Sequence, residues 1–351
     1  MPLENSNQSK KRLPERISLA HGAGGSVMDE IIQLIANTIT VKNVPDGIGL
    51  KELDDGGSIP LLDYQIIFSG DAHAVHPIFY PGGNIGKLAI CGTVNDILMM
   101  GGTPVAIGDT IVVEEGFEIQ KLEEILKTMN ETAIEARVAI ITGDFKVVPK
   151  GELDEILIST FGIGITKKGQ VILDSGLKPG DKIILTGSIG DHGIAIMAFR
   201  EGIDFQTELI SDNAPLVDTI QAALKAGRIT AMKDPTRGGL ASTLNELAKK
   251  SNVSIWLQES QIPIKDAVRA ASEMLGIDPF EVTCEGRAVL GVNEKDVTKV
   301  LAAIKKTKYG RDAAIIGEVK SERPGMVILE TKVGGHRVVE MPYGEPIPRV
   351  C

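Results

Sequence analysis

Cysteine is scarce in this chain. Its three residues in 351, Cys91, Cys284 and Cys351, are too few and too scattered for a disulfide framework or a thiolate metal site. Such usage fits a reducing compartment, and the cytoplasm is the expected location. Long apolar runs are missing as well. No stretch approaches the roughly 20 apolar residues that cross a bilayer, and none follows the polar start, with its Lys10, Lys11 and Arg12, to form a secretory signal. No membrane is expected as a partner. Positive charge is also in deficit: the formal net charge is −10. That leaves no concentrated basic face for a phosphate backbone, which excludes nucleic acid as the expected partner. The Gly-Lys-Ser/Thr ending of a Walker A loop, any multi-histidine cluster and any short-period repeat are absent too.

What is present is an ordinary globular composition, 43% hydrophobic and 24% charged. The length exceeds one core, so two domains are expected. Helical and strand patterns alternate, which gives an α/β or α+β class. The expected division is a polar arm over 1–16, a first domain over 17–166, a second over 175–340 and a tail over 341–351. Residues 84–101 read as a buried helix whose apolar pattern is broken by Asn95 and Asp96. Residues 118–136 carry a clear amphipathic stripe, with Ile119, Leu122, Leu126, Met129 and Ala133 on one side.

Glycine and aspartate mark the candidate site. His21-Gly22-Ala23-Gly24-Gly25-Ser26 opens a helical pattern, and a glycine loop at a helix start offers N–H groups and a positive dipole end to phosphate. Gly187 to Gly193, with Gly190 and Asp191, repeats the arrangement in the second half, as does Asp234-Pro235-Thr236-Arg237-Gly238-Gly239. Asp54 and Asp55 share a turn. Three apolar segments reach Gly-Asp at Asp71, Asp109 and Asp144, and are expected to be strands whose ends converge on a site. Asp96, inside an apolar helix, either faces solvent or has a metal or nucleotide as its partner. Lys146 follows Asp144 closely and is either a site cation or a solvated loop residue. His73 and His76 are read as structural. Carboxylates without soft ligands favour Mg²⁺ beside phosphates, so glycine loops and hard acids together point to a nucleoside triphosphate.

The chain finishes Pro346-Ile347-Pro348-Arg349-Val350-Cys351. Two prolines hold it extended and out of any helix or central strand, so a mobile arm carrying a thiol is expected. The bland alternative is a frayed end with an incidental cysteine.

Together, His21 to Gly25, Cys91-Gly92-Thr93-Val94-Asn95-Asp96 with Met99-Met100-Gly101, Gly143-Asp144-Phe145-Lys146-Val147-Val148, Asp234 to Gly239 and the terminal Pro348-Arg349-Val350-Cys351 closely resemble the HypE family of nickel-iron hydrogenase maturation proteins. The family lies in the superfamily of aminoimidazole ribonucleotide synthetase and selenophosphate synthetase. The resemblance implies a first domain that builds a β-barrel across a homodimer, an α/β second domain and ATP at their junction. It also implies that the terminal cysteine is carbamoylated by the carbamoyltransferase HypF and dehydrated with ATP to a thiocyanate, the source of hydrogenase cyanide, with the HypC–HypD complex as the next partner.

By the same resemblance Cys351, Lys146 and Glu285 are the catalytic residues. Asp55, Asp71, Asp96 and Asp234 would hold Mg²⁺. His21, Gly22, Gly24, Gly25, Asn95, Asp144, Gly190 and Asp191 would lie about the nucleotide. Ala72-His73 after Asp71, and Phe145 before Lys146, depart from the usual family pattern without removing an acid or the lysine. The rivals are a different ATP-dependent synthetase of the superfamily and a non-catalytic cyanide-carrier scaffold. Retention of the acids, Lys146 and Glu285 argues against the scaffold.

Overall fold

A computed structural model describes residues 15–203, 209–344, 347 and 349–351. Nearly all of the expected polar arm, and the tail prolines Pro346 and Pro348, lie outside the described residues. The first half runs α1 (Gly25–Thr38), β1 (Gly57–Leu61), β2 (Tyr64–His73), a small hairpin of β3 (Phe79–Tyr80) and β4 (Gly83–Asn84), α2 (Ile85–Met99), β5 (Thr103–Glu114), α3 (Ile119–Ala136), β6 (Ala139–Val148) and β7 (Ile156–Lys167). The second runs β8 (Lys182–Leu185), α4 (Asp191–Arg200), α5 (Val217–Ala226), β9 (Ile229–Lys233), α6 (Gly239–Ser251), β10 (Ser254–Gln258), α7 (Asp266–Leu275), β11 (Val289–Val292), α8 (Val297–Ile304), β12 (Ala314–Lys320), β13 (Val327–Glu330) and β14 (His336–Val338).

Five strands of the first half form a sheet in the order β1-β2-β7-β5-β6. Only β5 and β6 are parallel, because α3 makes the crossover between them. Alternation along β2 decides what faces what: Gln65, Ile67, Ser69 and His73 are buried, while Tyr64 and Phe68 are exposed. The buried row faces α2, whose 15 residues include 13 buried ones. A helix apolar on all sides must be covered on all sides. Asn84 caps it, accepting from Gly86 N at 2.9 Å, and the helix runs through Asn95 and Asp96 without a break.

The three Gly-Asp pairs correct one expectation. Asp71, Asp109 and Asp144 lie inside β2, β5 and β6, not at their ends, because ladder pairing continues past each pair. Turn propensity loses to that pairing. The outer face of the sheet stays apolar and uncovered, with Phe145 52% and Phe161 49% exposed.

The second half forms a seven-stranded sheet in the order β14-β13-β10-β12-β8-β11-β9. One buried cluster joins Ile85, Leu88 and Val94 of α2 to Leu216, Ile220 and Val282, so the two halves share a core. The tail belongs to it. Ile347 and Val350 are 2% and 1% exposed within that cluster, so the end expected as a free arm is seated against the body.

Candidate functional site

A cleft of about 760 Å³ opens between the halves, within the range that holds a nucleotide. Its lining comes from the start of α1, the Asp54–Asp55 turn, β2 from Phe68 to His73, the inner side of α2, the Lys233–Arg237 loop, α6, Glu285 and Cys351. Strand alternation turns Ser69, Asp71 and His73 toward α2, and Ser69 Oγ donates to Asp96 Oδ2 at 2.6 Å. Gly92 makes this approach possible: a Cβ there would sit 2.8 Å from His73 Cε1 and 3.1 Å from Asp71 Oδ2.

The carboxylates are crowded. Burial, then Asp71, Asp234 and Asp55, pushes the Asp96 carboxyl well above its ordinary value. Burial likewise raises Asp55 well up despite the opposing Lys233, and lifts Asp234 to about 7. Asp54 Oδ2 and Asp55 Oδ2 are buried without a hydrogen-bond partner. Such a set calls for a cation. Among the described residues no three His, Cys, Asp or Glu groups are gathered closely enough to enclose a metal. Hard oxygens lining a cleft without a finished cage fit Mg²⁺, which keeps waters and takes substrate phosphates as ligands.

Two lysines occupy part of that demand. Lys233 pairs with Asp55, lies 3.2 Å from Asp174 Oδ2 and 3.5 Å from Glu246. Lys250 lies 2.8 Å from Asp174 and 3.1 Å from Asp54. Arg237 lines the cleft with Cys351. Negative charge at Cys351, ahead of that on Asp71, Glu285 and Asp96, holds its guanidinium firmly charged. Burial lowers the His73 imidazole, so it is neutral beside Asp71. The sequence reading assigned none of these basic groups to the site. Arg237 lies within a motif it did single out and Lys233 immediately precedes it, whereas Asp174 and Lys250 carry no local signal.

Asp55, Asp71, Asp96, Asp234, Gly24, Gly25, Glu285 and Cys351 are brought together in the cleft. Others are not among the described residues that line it. His21 is half-buried and bonds Ser18, and Gly22 lies exposed beside it. Asn95 is fully engaged: Nδ2 donates to Ala214 O at 3.1 Å and Glu285 O at 3.3 Å, and Oδ1 accepts from Leu216 N at 2.9 Å. It ties α2 to the backbone of Glu285. Asp144 and Lys146 stand exposed on β6. Gly190 and Asp191 start α4 on the far side of Cys284, and the Asp191 carboxylate pairs with Lys265 at 2.8 Å and Arg287 at 3.3 Å. The first turn of α1 is also taken, since Ser26 N donates to Pro342 O at 2.8 Å and Val27 N to Tyr343 O at 3.3 Å.

This two-sheet body with an acidic cleft at the junction defines a class. Residues 53–166 match the N-terminal domain model of AIR synthase related proteins, and 178–329 match the C-terminal one. Among curated relatives, a putative hydrogenase expression/formation protein of Methanocaldococcus jannaschii is 48% identical, over 96% of this chain and 100% of its own. The carbamoyl dehydratase HypE of Rhizobium leguminosarum bv. viciae is 41% identical, over 96% of this chain and 95% of its own. Solved structures agree. HypE in complex with ATP superposes with a TM-score of 0.80 at 36% identity, covering 96% of this chain and 100% of that one. The HypE–HypF complex gives 0.83 at 39%, covering 91% and 100%. The chain belongs to the HypE family of carbamoyl dehydratases.

Proposed function

We propose that the chain uses ATP to convert an S-carbamoyl group on its own Cys351 into S-cyanate, the precursor of the cyanide ligands of the hydrogenase iron. The observation that carries this reading is the position of Cys351 in one cleft with Glu285, Arg237 and the carboxylates. Cys351 packs at the edge of the core and at the same time lines the cleft, where a reacting group would stand.

A carboxamide oxygen is a poor leaving group. Transfer of the γ-phosphoryl of ATP to that oxygen makes phosphate the leaving group. One N–H proton is lost as the imidate forms, and the second as the C–O bond breaks to give S–C≡N, ADP and phosphate. Glu285 is the base for these protons. Arg237 faces the developing negative charge, and Asp55, Asp71, Asp96 and Asp234 would hold Mg²⁺, which neutralises the phosphates when bound. Gly24 and Gly25 let the start of α1 close against the Arg237 and Pro342 backbone at the wall of the cleft.

Lys146 enters through dimerisation. It stands on β6, the free edge of a sheet whose outer face is apolar and exposed, and a homodimer formed through this face is the route by which it reaches a cleft it does not line in its own chain. HypF supplies the carbamoyl group, HypC–HypD receives the cyanide, and all of this takes place in the cytoplasm. The domains are taken as 17–166 and 175–340, with the tail over 341–351.

The test is intact-protein mass spectrometry after incubation with HypF, carbamoyl phosphate and ATP, followed by added Mg-ATP, for wild type and Cys351→Ala. A carbamoyl adduct on Cys351 that loses one water only with ATP hydrolysis is expected. An adduct that never dehydrates would turn the reading toward a cyanide-carrier scaffold.

A further inference from the structure

The glycine loop from Gly187 to Gly193 is not among the described residues that line the cleft, and what it and α4 face is the end of the chain. His192 is fully buried. Its Nε2 lies 2.6 Å from Val350 O and its Nδ1 2.7 Å from Ser211 Oγ. A carbonyl only accepts, so Nε2 carries the proton and Nδ1 accepts from the serine. The ring stands edge-on to Tyr80 at 5.6 Å. One residue on, Gly193 is held glycine by Val282, whose Cγ1 would lie 2.5 Å from a Cβ there, and the tail's Ile347 Cδ1 stands at an ordinary contact distance of 3.4 Å from the same point. At the other end of α4, Arg200 Nη2 donates to Arg349 O at 3.0 Å and Nε to His76 O at 2.9 Å. His76 N donates to the same Arg349 carbonyl at 3.0 Å.

The tail is bent to meet these donors. Arg349 has φ of 59°, a left-handed conformation that a branched or long side chain adopts only when its surroundings impose it. Its guanidinium pairs with Asp154 of the first half, and Nε reaches Ala74 O at 3.4 Å. The bend turns Val350 into the core and Cys351 into the cleft.

We infer that one face of α4, carrying His192, Gly193 and Arg200, is a docking site for the C-terminal tail, and that His192 and Arg200 are positioning residues that set where Cys351 sits for reaction. This rests on the reading that Cys351 carries the reacting group. It adds how the sulfur is registered: both donors grip backbone carbonyls, so the docking reads the path of the chain. A positive-φ residue is worth keeping at position 349 only if the turn it makes is held, and Arg200 and His76 hold it from both sides.

The test uses the full-length protein and needs no ATP in its first arm. Cys91 and Cys284 are fully buried, so iodoacetamide reports on Cys351, read by intact mass. Arg200→Ala, and His192→Phe, which keeps a ring against Tyr80 but has no donor, are expected to alkylate about tenfold faster than wild type, the effect of losing one hydrogen bond to a carbonyl. His192→Gln, which restores a donor, is expected to stay within about threefold of wild type. In the second arm, carbamoylated Arg200→Ala is expected to dehydrate with about tenfold lower kcat and unchanged KM for ATP. Wild-type alkylation rates in both Arg200→Ala and His192→Phe overturn the docking site. Faster alkylation with unchanged kcat overturns the positioning role. Failure of wild type itself to dehydrate strikes the proposed function and leaves the first arm standing.

Discussion

Gly92 lets α2 lie so close to β2 that a methyl group on it would come within 2.8 Å of the His73 ring. The same methyl group would press on Asp71 Oδ2 at 3.1 Å. Gly92→Ala therefore pushes the helix carrying Asp96 away from the strand carrying Asp71. The expected outcome is a loss of about 1–3 kcal/mol in urea unfolding, together with weakened Mg-ATP binding by calorimetry. Normal binding with normal stability would mean that the two acids need no fixed spacing.

Asp96 costs the fold stability at neutral pH. Burial and the neighbouring carboxylates raise its folded value well above the unfolded one, so its charged form destabilises the fold at neutral pH and that cost grows as pH rises. Asp96→Asn removes the cost. Without nucleotide, its Tm is expected to exceed that of wild type by a few degrees, while the Tm increment on adding Mg-ATP shrinks. A Tm below wild type would mean that the Ser69 hydrogen bond outweighs the repulsion.

Lys233 is the reverse case, a buried cation among acids at 12% side-chain exposure, with Asp174 at 2%. Lys233→Met leaves Asp55 and Asp174 facing one another with less opposing charge. Removing one partner of a buried pair costs about 3–5 kcal/mol. Chemical unfolding of the variant should reproduce that loss, and added Mg²⁺ should recover part of it if Asp55 is a ligand.

Acid should loosen the seated tail through His192. Burial, against the Val350 hydrogen bond, lowers its pKa to about 4 from an ordinary 6.5. The folded value is depressed, so its contribution is present above pH 6.5 and is lost as pH falls through 4, because the unfolded chain binds the proton first. His192→Gln has no such titration. Between pH 6.5 and 4 the wild-type Tm should fall more steeply than that of the variant, and parallel curves would remove His192 from the account.

The exposed face of the five-stranded sheet predicts self-association. Phe161→Asp puts a charge in the middle of that face, at a side chain that is 49% exposed and lies over Gly108. The expected result is a monomer by analytical ultracentrifugation where wild type sediments as a dimer, with a Tm close to wild type. A monomeric wild type would leave the apolar face without its cover.

Much of the site was legible because the residues that make it are chemically unusual where they stand. An acid inside an apolar helix, paired glycines before a helix and a cysteine after two prolines each violate a local preference, and Asp96, Gly24, Gly25 and Cys351 all reach the cleft. The misread positions were locally ordinary. Asp109 and Asp144 looked like turn residues and lie inside strands, because a second strand beside each segment is not encoded within it. Asn95 looked like a ligand and is a tether between α2 and the Glu285 backbone. Lys233, Asp174 and Lys250 pair across 59 and 76 residues of chain, a distance over which no local pattern speaks.

Composition, periodicity and motif spacing alone determined the α/β class, the helices α2 and α3 and the acidic residues of the cleft, since each depends on neighbours in sequence. Tertiary structure decided which glycine loop faces the cleft and which faces the tail, that Lys146 stands on an open edge, and that Cys351 is turned inward by α4. Those outcomes depend on which donors and carbonyls meet across the fold, and two helix-opening loops of the same local chemistry acquire different partners only when the chain closes around them.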